Sequence, residues 1–149
     1  MKNNFALGIT ALLIVMSFSC NRKNQDLKFY SCEFDSSGSK DSIYFSKWVD
    51  NKAEASKAKL TLDSSLNKRN LDSLYKEIGQ YLFVIGGGGI YVGADDCSAS
   101  IQNDSILIKY NISATSGAVG EMASSSICLE INRKKYPNYK NMKVVYVEE

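Results

Sequence analysis

The chain offers few residues that could do chemistry, and histidine is absent from all 149 positions. That absence excludes Ser-His-Asp and Cys-His catalysis, histidine-based zinc sites and a proton switch near neutral pH. Asp95 and Asp96 are adjacent carboxylates, but neighbouring side chains of an extended segment point to opposite faces, which suits an acid–base pair poorly. The stretch also has too few oxygen ligands for calcium. We therefore interpret it as a solvated turn, and expect no catalytic residue, cofactor or metal.

Four consecutive glycines at positions 86–89 invite comparison with phosphate-binding loops. Gly88 and Gly93 have the spacing of the two P-loop glycines, but Ala94 stands where that motif requires lysine. A dinucleotide-binding fingerprint needs a helix after its glycines, whereas residues 90–92 are typical of a strand. We expect a turn or flexible connection between strands.

The cysteines are Cys20, Cys32, Cys97 and Cys128. The last three allow one disulfide with one thiol left over, in any of three pairings, and their wide spacing matches no metal motif. We expect a structural disulfide or buried thiols rather than a reactive cysteine, because no histidine and no clear helix N-terminus is available to activate a thiolate.

The elements that must position these residues are mostly strands. Alternating or β-branched and aromatic segments indicate about seven short strands. These segments are residues 27–34, 43–49, 81–85, 90–92, 97–102, 105–112, 126–131 and 142–147. Asn103 and Asp104 are typical of a hairpin turn between two of them.

One amphipathic helix is predicted at about residues 70–79. Its apolar stripe consists of Leu71, Leu74, Tyr75, Ile78 and Leu82. Asn70 stands at the N-cap position, Asp72 lies in the first turn, and Gly79 is a plausible end. Residues 50–59 are interpreted as either a helical turn or an exposed loop. The predicted fold is α+β: an antiparallel sheet of about five to seven short strands with this helix on one face.

The first twenty residues resemble a bacterial lipoprotein signal. Lys2 precedes about a dozen nearly uncharged residues, 5–16, which is the length of a secretory signal core and too short to span a bilayer. Small residues then lead to Cys20, which such signals acylate and expose as the first mature residue. Ser17 stands where leucine is usual, as in the looser signals of Bacteroidetes. The alternatives are an ordinary cleaved signal and an uncleaved membrane helix.

The sequence therefore divides into a signal (residues 1–19), a tether (20–26) and one globular domain (27–149). The mature chain carries 17 basic and 16 acidic residues, which gives no reason to expect nucleic acid binding. The predicted location is the cell envelope, as an outer membrane lipoprotein facing the periplasm or the cell surface, held by its lipid anchor.

Residues 133–143 are rich in basic and aromatic side chains, and we call them the basic segment. Exposed tyrosines beside arginine resemble the composition of protein interfaces. The predicted partner-binding residues are Arg133, Lys134, Lys135, Tyr136, Tyr139 and Lys140. The alternatives are a solvated loop and a surface lying on anionic lipid headgroups. Ser42 and Ser105 are candidate glycosylation sites, since each lies in an Asp-Ser-aliphatic triplet that looks like the Bacteroidetes O-glycosylation acceptor.

Residues 71–149 resemble the C-terminal domain of the bacterial protease-complex subunit family. The resemblance is carried by the helix at 71–78, the segment Gly88-Gly89-Ile90-Tyr91-Val92, the strand at 105–110 and two final strands. The threonine and the proline that are typical of the family's motifs are missing. The resemblance implies a non-catalytic lipoprotein that binds and stabilises or inhibits an exported protease.

The functional hypothesis is thus a non-enzymatic binding or accessory lipoprotein of the cell envelope. Two alternatives remain open. One is a small envelope enzyme using Asp, Lys or Tyr groups that converge only in three dimensions. The other is a structural lipoprotein with no specific ligand.

Overall fold

A computed structural model describes residues 26–35, 45–62, 70–86, 90–114 and 124–149. The signal, Cys20, Ser42 and glycines 87–89 lie outside these residues. None of the helices within the described ranges is long and apolar enough to cross a membrane.

Ten strands and two short α-helices make up the described part of the chain. The strands are β1 (Leu27–Glu33), β2 (Ser46–Val49), β3 (Thr61–Leu62), β4 (Ile78–Gly86), β5 (Ile90–Tyr91), β6 (Cys97–Gln102), β7 (Ser105–Tyr110), β8 (Ser113–Ala114), β9 (Ser124–Asn132) and β10 (Lys143–Glu148). The helices are α1 (Lys52–Lys57) and α2 (Leu71–Glu77). The predicted α+β class is confirmed, and strand dominates it.

The strands form two larger sheets and a ribbon rather than the single antiparallel sheet expected. An antiparallel five-stranded sheet has the order β2-β4-β9-β1-β3, with the two nine-residue strands β4 and β9 side by side. A three-stranded sheet has the order β10-β7-β6, and β5 pairs with β8. β7 pairs with β10 in parallel.

The main core lies between the two larger sheets. Side chains alternate between the faces of a strand, so Tyr81 and Phe83 of β4 point to this core while Leu82 points away. The other buried members are Leu27, Val92, Ile106, Ile108, Ile127, Leu129, Ile131 and Tyr139. The hairpin at Asn103 and Asp104 is confirmed, with Asn103 at φ 53°, and it directs Ile106 and Ile108 into this core.

Both helices belong to a second cluster on the opposite face of the five-stranded sheet. This cluster contains Cys32, Val49, Ala55, Ala58, Leu74, Tyr75, Leu82 and Cys128. Asn51 and Asn70 cap the two helices by accepting hydrogen bonds from Glu54 N (2.8 Å) and Asp72 N (2.9 Å). α2 packs on one face of the five-stranded sheet, as predicted. Residues 50–59 were predicted to be either a helical turn or an exposed loop, and they contain helix α1.

The predicted extent of the helix was wrong at its C-terminal end. α2 ends at Glu77, and Ile78 already begins β4, where it lies opposite Asn132. Ile78 and Leu82 satisfy a helical period, but they also alternate with Gly79 and Tyr81 in the strand. The nine-residue ladder to β9 decides the matter, because a buried strand must pair its backbone groups.

Candidate functional site

The basic segment begins in a turn after β9, and its arginine points inward. Arg133 Nη1 donates to the carbonyl oxygen of Tyr75 at the end of α2, and lies 3.4 Å from the carbonyl oxygen of Asp50. The Arg133 backbone N donates to Glu77 O at 2.9 Å. Arg133 therefore ties the segment to the C-terminal turn of α2, where a cation is favoured.

Tyr139 is buried, which corrects the expectation that this tyrosine is exposed. Only 3% of its surface is accessible. Its ring centroid lies 4.7 Å from that of Trp48, and its hydroxyl lies 3.4 Å from Asp50 Oδ2. The ring fills the space above Gly79, where any side chain would collide with it. Tyr139 anchors the segment to the core, so it is not a partner contact.

Three lysines of the segment remain on the surface. The exposed fractions of the Lys134, Lys135 and Lys140 side chains are 75%, 53% and 44%. Lys134 Nζ lies 3.5 Å from a carboxylate oxygen of Glu77, while Lys135 bonds to Asp26 and Lys140 to Asp50. Lys135 Nζ also lies 5.4 Å from the ring centroid of half-buried Tyr136. Five of the six predicted partner-binding residues thus stay accessible in whole or part, since Arg133 and Tyr136 are half-buried and only Tyr139 is buried.

Asp50 is the point where the acidic, basic and phenolic groups converge. Burial opposes its ionisation, but the hydrogen bond and charge of Lys140, with help from Asn51 and Arg133, hold its pKa below the usual value. Burial raises the pKa of Tyr139 to about 12, and the charge of Asp50 adds to the shift. The pKa of Asp50 is lowered and that of Tyr139 is raised, so neither group titrates near neutrality. We therefore interpret the contact of Asp50 with Lys140 and Tyr139 as structural.

A buried polar group that the sequence did not indicate lies on the helix-facing side of the sheet. Gln80 is fully buried, and its Oε1 accepts a hydrogen bond from the Tyr75 hydroxyl at 2.6 Å. Its Nε2 has no hydrogen-bond partner within the described part of the chain. Gln80 lies opposite Glu130, whose Oε2 accepts from Tyr30 Oη at 3.1 Å. The sequence signal that could have predicted this buried group is the single glutamine, Gln80, at an inward-facing position of an otherwise apolar strand.

The cysteine pairing, which the sequence left open, is Cys32 with Cys128. The two Cα atoms are 6.0 Å apart, within the normal range for a disulfide. Cys128 lies opposite Tyr30, so the bridge runs diagonally between β1 and β9 and is buried in the second cluster. Cys97 is free, and burial raises the pKa of its thiol to about 12, which makes it a poor nucleophile.

The other residues singled out in the sequence, Asp95, Asp96 and Ser105, lie in a turn and at the start of a strand. Asp96 Oδ2 accepts a hydrogen bond from Gly93 N at 2.9 Å and thereby closes a short 3₁₀ turn, Ala94–Asp96, while Asp95 is exposed. Ser105 is half-buried at the start of β7. Among the described side chains, no three His, Cys, Asp or Glu residues come together in a way that could hold a metal ion.

The free edge of β10 is a second surface that the sequence did not indicate. Lys143 N and Glu149 N donate to oxygens of the β7 strand and its flank, each at 3.0 Å. Since backbone direction alternates along a strand, residues 144, 146 and 148 point their N–H and C=O groups away from β7. No strand in the described ranges pairs with that side. Tyr146 lies on this edge with 40% of its surface exposed.

No protein-family model matches the chain, and neither the curated proteins nor the solved structures contain a match to it.

Proposed function

We propose that the chain is an exported lipoprotein, anchored through Cys20 in the outer membrane, that acts as a non-catalytic binding or accessory module of the cell envelope. Export is supported by the buried disulfide between Cys32 and Cys128, because disulfides persist in oxidising compartments and are rare in the cytosol. The bridge belongs to the packed interior of the domain, which supports the proposal of an oxidising compartment.

A non-catalytic role is supported by the hydrogen bonds and ion pairs that the polar side chains make with one another. Asp50, Lys140 and Tyr139 satisfy one another. Asp96 Oδ2 is engaged in closing its own turn. The pKa shifts at Tyr75, Tyr139 and Cys97 all run away from neutrality. These groups are therefore poor general acids, bases and nucleophiles at physiological pH.

Binding is carried by one observation, the open edge of β10. Three residues there direct backbone groups away from β7, and one of them is Tyr146, with 40% of its surface exposed. Such an edge accepts an extended segment of another protein as an added strand. Lys143 stands at one end of β10 and Glu148 at the other. The fitting segment therefore belongs to an exported protein and carries an acidic residue beside Lys143 and a basic residue beside Glu148. An exported protease is the class of partner implied by the family resemblance.

The anchor is tested by metabolic labelling with an alkyne fatty acid, followed by mass analysis of the mature N-terminus. The expected result is label on the wild-type chain and an N-terminal acylated Cys20, with no label on Cys20→Ala. An unmodified Cys20 in the exported protein would reject the lipoprotein assignment.

The binding edge is tested by pull-down of the lipidated protein from detergent-solubilised envelope, comparing Glu148→Pro with Glu148→Ala. Both variants remove the same carboxylate, but only proline removes the outward N–H and adds a ring on the partner's side of the strand. A stoichiometric partner retained by Glu148→Ala and lost by Glu148→Pro is expected. Equal retention by both would show that the edge of β10 is not the binding surface.

A further inference from the structure

We propose that the end of the domain formed by Asp26 and the basic segment faces the bilayer, with its surface lysines lying on anionic lipid headgroups. This inference rests on the proposed anchor at Cys20 and adds to it a defined orientation of the domain.

The folded domain begins directly against the basic segment. The Asp26 carbonyl oxygen accepts a hydrogen bond from Asn132 N at 3.0 Å, and the Asp26 carboxylate bonds to Lys135. Leu27, the next residue, lies opposite Ile131 in the ladder between β1 and β9. The point where the tether enters the domain and the root of the basic segment are therefore one structural unit.

The tether is short enough to hold this unit near the lipid. Asp26 lies six positions after Cys20, and a fully extended chain spans at most about 3.5 Å per position, or about 20 Å in all. The opposite end of β1 lies about 20 Å farther along the strand, at about 3.3 Å per residue. An anchored chain thus keeps the Asp26 end within reach of the headgroups, whereas the far end of β1 has no such constraint.

The charge of the segment matches an anionic surface. Residues 131–147 contain five basic side chains and no acidic one. Arg133 is turned into the domain. Lys134, Lys135 and Lys140 each pair with one carboxylate, of Glu77, Asp26 and Asp50 in turn, but keep between 44% and 75% of their side chains exposed. Pairs as exposed as Lys134 with Glu77 are weak, so this lysine can exchange its carboxylate for a lipid phosphate. Basic residues next to a lipid anchor strengthen attachment to anionic membranes.

The segment is also held rigidly in this position. Tyr139 is locked between Trp48 and Gly79, and the Arg133 guanidinium is fixed on the end of α2. A preformed basic surface loses little conformational freedom when it meets the bilayer. The tyrosine and the arginine therefore hold the lysines in position.

The test measures which end of the anchored domain is near the headgroups. The full lipidated chain, in a Cys97→Ala background, carries a fluorophore either on Asn138→Cys or on Thr61→Cys. Asn138 is exposed within the basic segment, and Thr61 is exposed opposite Glu33 at the far end of β1. Each labelled protein is reconstituted into vesicles of phosphatidylcholine with or without phosphatidylglycerol, containing lipids with a nitroxide on the headgroup.

The expected result is several-fold stronger quenching at position 138 than at position 61, and a larger ratio when phosphatidylglycerol is present. The double variant Lys134→Ala, Lys135→Ala should bring the ratio back to its value in phosphatidylcholine alone. Equal quenching at both positions, or stronger quenching at position 61, in vesicles that carry the protein overturns the orientation. Protein that does not float with vesicles at all overturns the anchor at Cys20, and the inference with it.

Discussion

The ring of Tyr139 lies directly on the backbone of Gly79. A Cβ built on Gly79 would stand 2.6 Å from both Cε2 and Cζ of that ring. Gly79 begins the run of β4 that faces the main core, and Tyr139 belongs to the basic segment, sixty residues later in the chain. This contact explains why the basic segment keeps its place on the sheet: the missing side chain creates the site that the tyrosine fills.

The first prediction concerns this contact. Gly79→Ala should lower the free energy of unfolding by roughly 1–3 kcal/mol, because both backbone and ring would have to shift to admit one methyl group. Urea denaturation followed by tryptophan fluorescence measures it, since Trp48 touches Tyr139. In a Tyr139→Ala background the same substitution should cost far less.

Gly93→Ala is the matched control for that pair. Its Cβ would meet Asp96 Oδ2 at 3.0 Å, which is a single carboxylate oxygen of a half-buried turn rather than a packed ring. The expected change is less than about 1 kcal/mol. Equal effects at the two glycines would contradict the assigned role of Tyr139.

The second prediction concerns the disulfide. Replacing Cys32 and Cys128 together by alanine should destabilise the domain by about 4 kcal/mol, because the bridge closes a loop with a sequence separation of 96 residues. Thermal and urea unfolding of the oxidised protein provide the measurement. Cys97→Ala should leave the response to a reducing agent unchanged, whereas the double variant should lose that response entirely.

The third prediction separates two lysines of similar appearance. Lys140→Ala should cost about 1 kcal/mol, since Lys140 bonds to an Asp50 carboxylate whose side chain is only 16% exposed. Lys52→Ala removes a pair with Asp72 at 3.8 Å whose two side chains are more than 60% exposed, and should cost almost nothing. Chemical denaturation of both variants in parallel is the measurement, and equal costs would reject the role given to Asp50.

The fourth prediction is a pH dependence. Burial raises the pKa of Tyr75 from 10.0 to about 12. The folded state therefore favours the neutral phenol, so this contribution is complete below pH 10 and is lost as the pH rises through 12. The loss begins when the unfolded chain releases this phenolic proton, which happens at a lower pH than in the folded chain. Wild type should thus lose more stability than Tyr75→Phe between pH 10 and pH 12.

Tyr91→Phe serves as the control for removing a tyrosine hydroxyl, because 47% of the Tyr91 surface is exposed. Its unfolding free energy at neutral pH should equal that of wild type. A Tyr75→Phe pH profile that coincides with the wild-type profile would show that the Tyr75 hydroxyl does not depend on the interior of the domain.

The parts of the fold that were predictable are those set by neighbouring residues. Asn70 capping α2, the turn at Asn103 and Asp104, and the alternation that directs Ile106 and Ile108 inward all depend on side chains within a few positions of one another. Local capping, turn conformation and strand alternation carry enough free energy to specify these features before any distant contact forms.

The basic segment was recognised from its composition, but the sequence did not predict which of its side chains are buried and which are exposed. Arg133 turns inward because the carbonyl oxygens of Tyr75 and Asp50 meet there, and Tyr139 is buried because Gly79 leaves room for it. Each of these partners is more than fifty residues away in sequence. The exposed or buried state of a basic or aromatic side chain therefore followed from the tertiary structure alone.

By itself, the sequence determined that the chain has no histidine chemistry, that it is an α+β domain, and which stretches alternate. The tertiary structure decided that α2 ends at Glu77, that β10 runs parallel to β7, and that Cys32 pairs with Cys128. The reason is common to all three: each depends on which distant strand satisfies a segment's backbone or side chains. The sequence offers several such partners, and only the packed domain selects one.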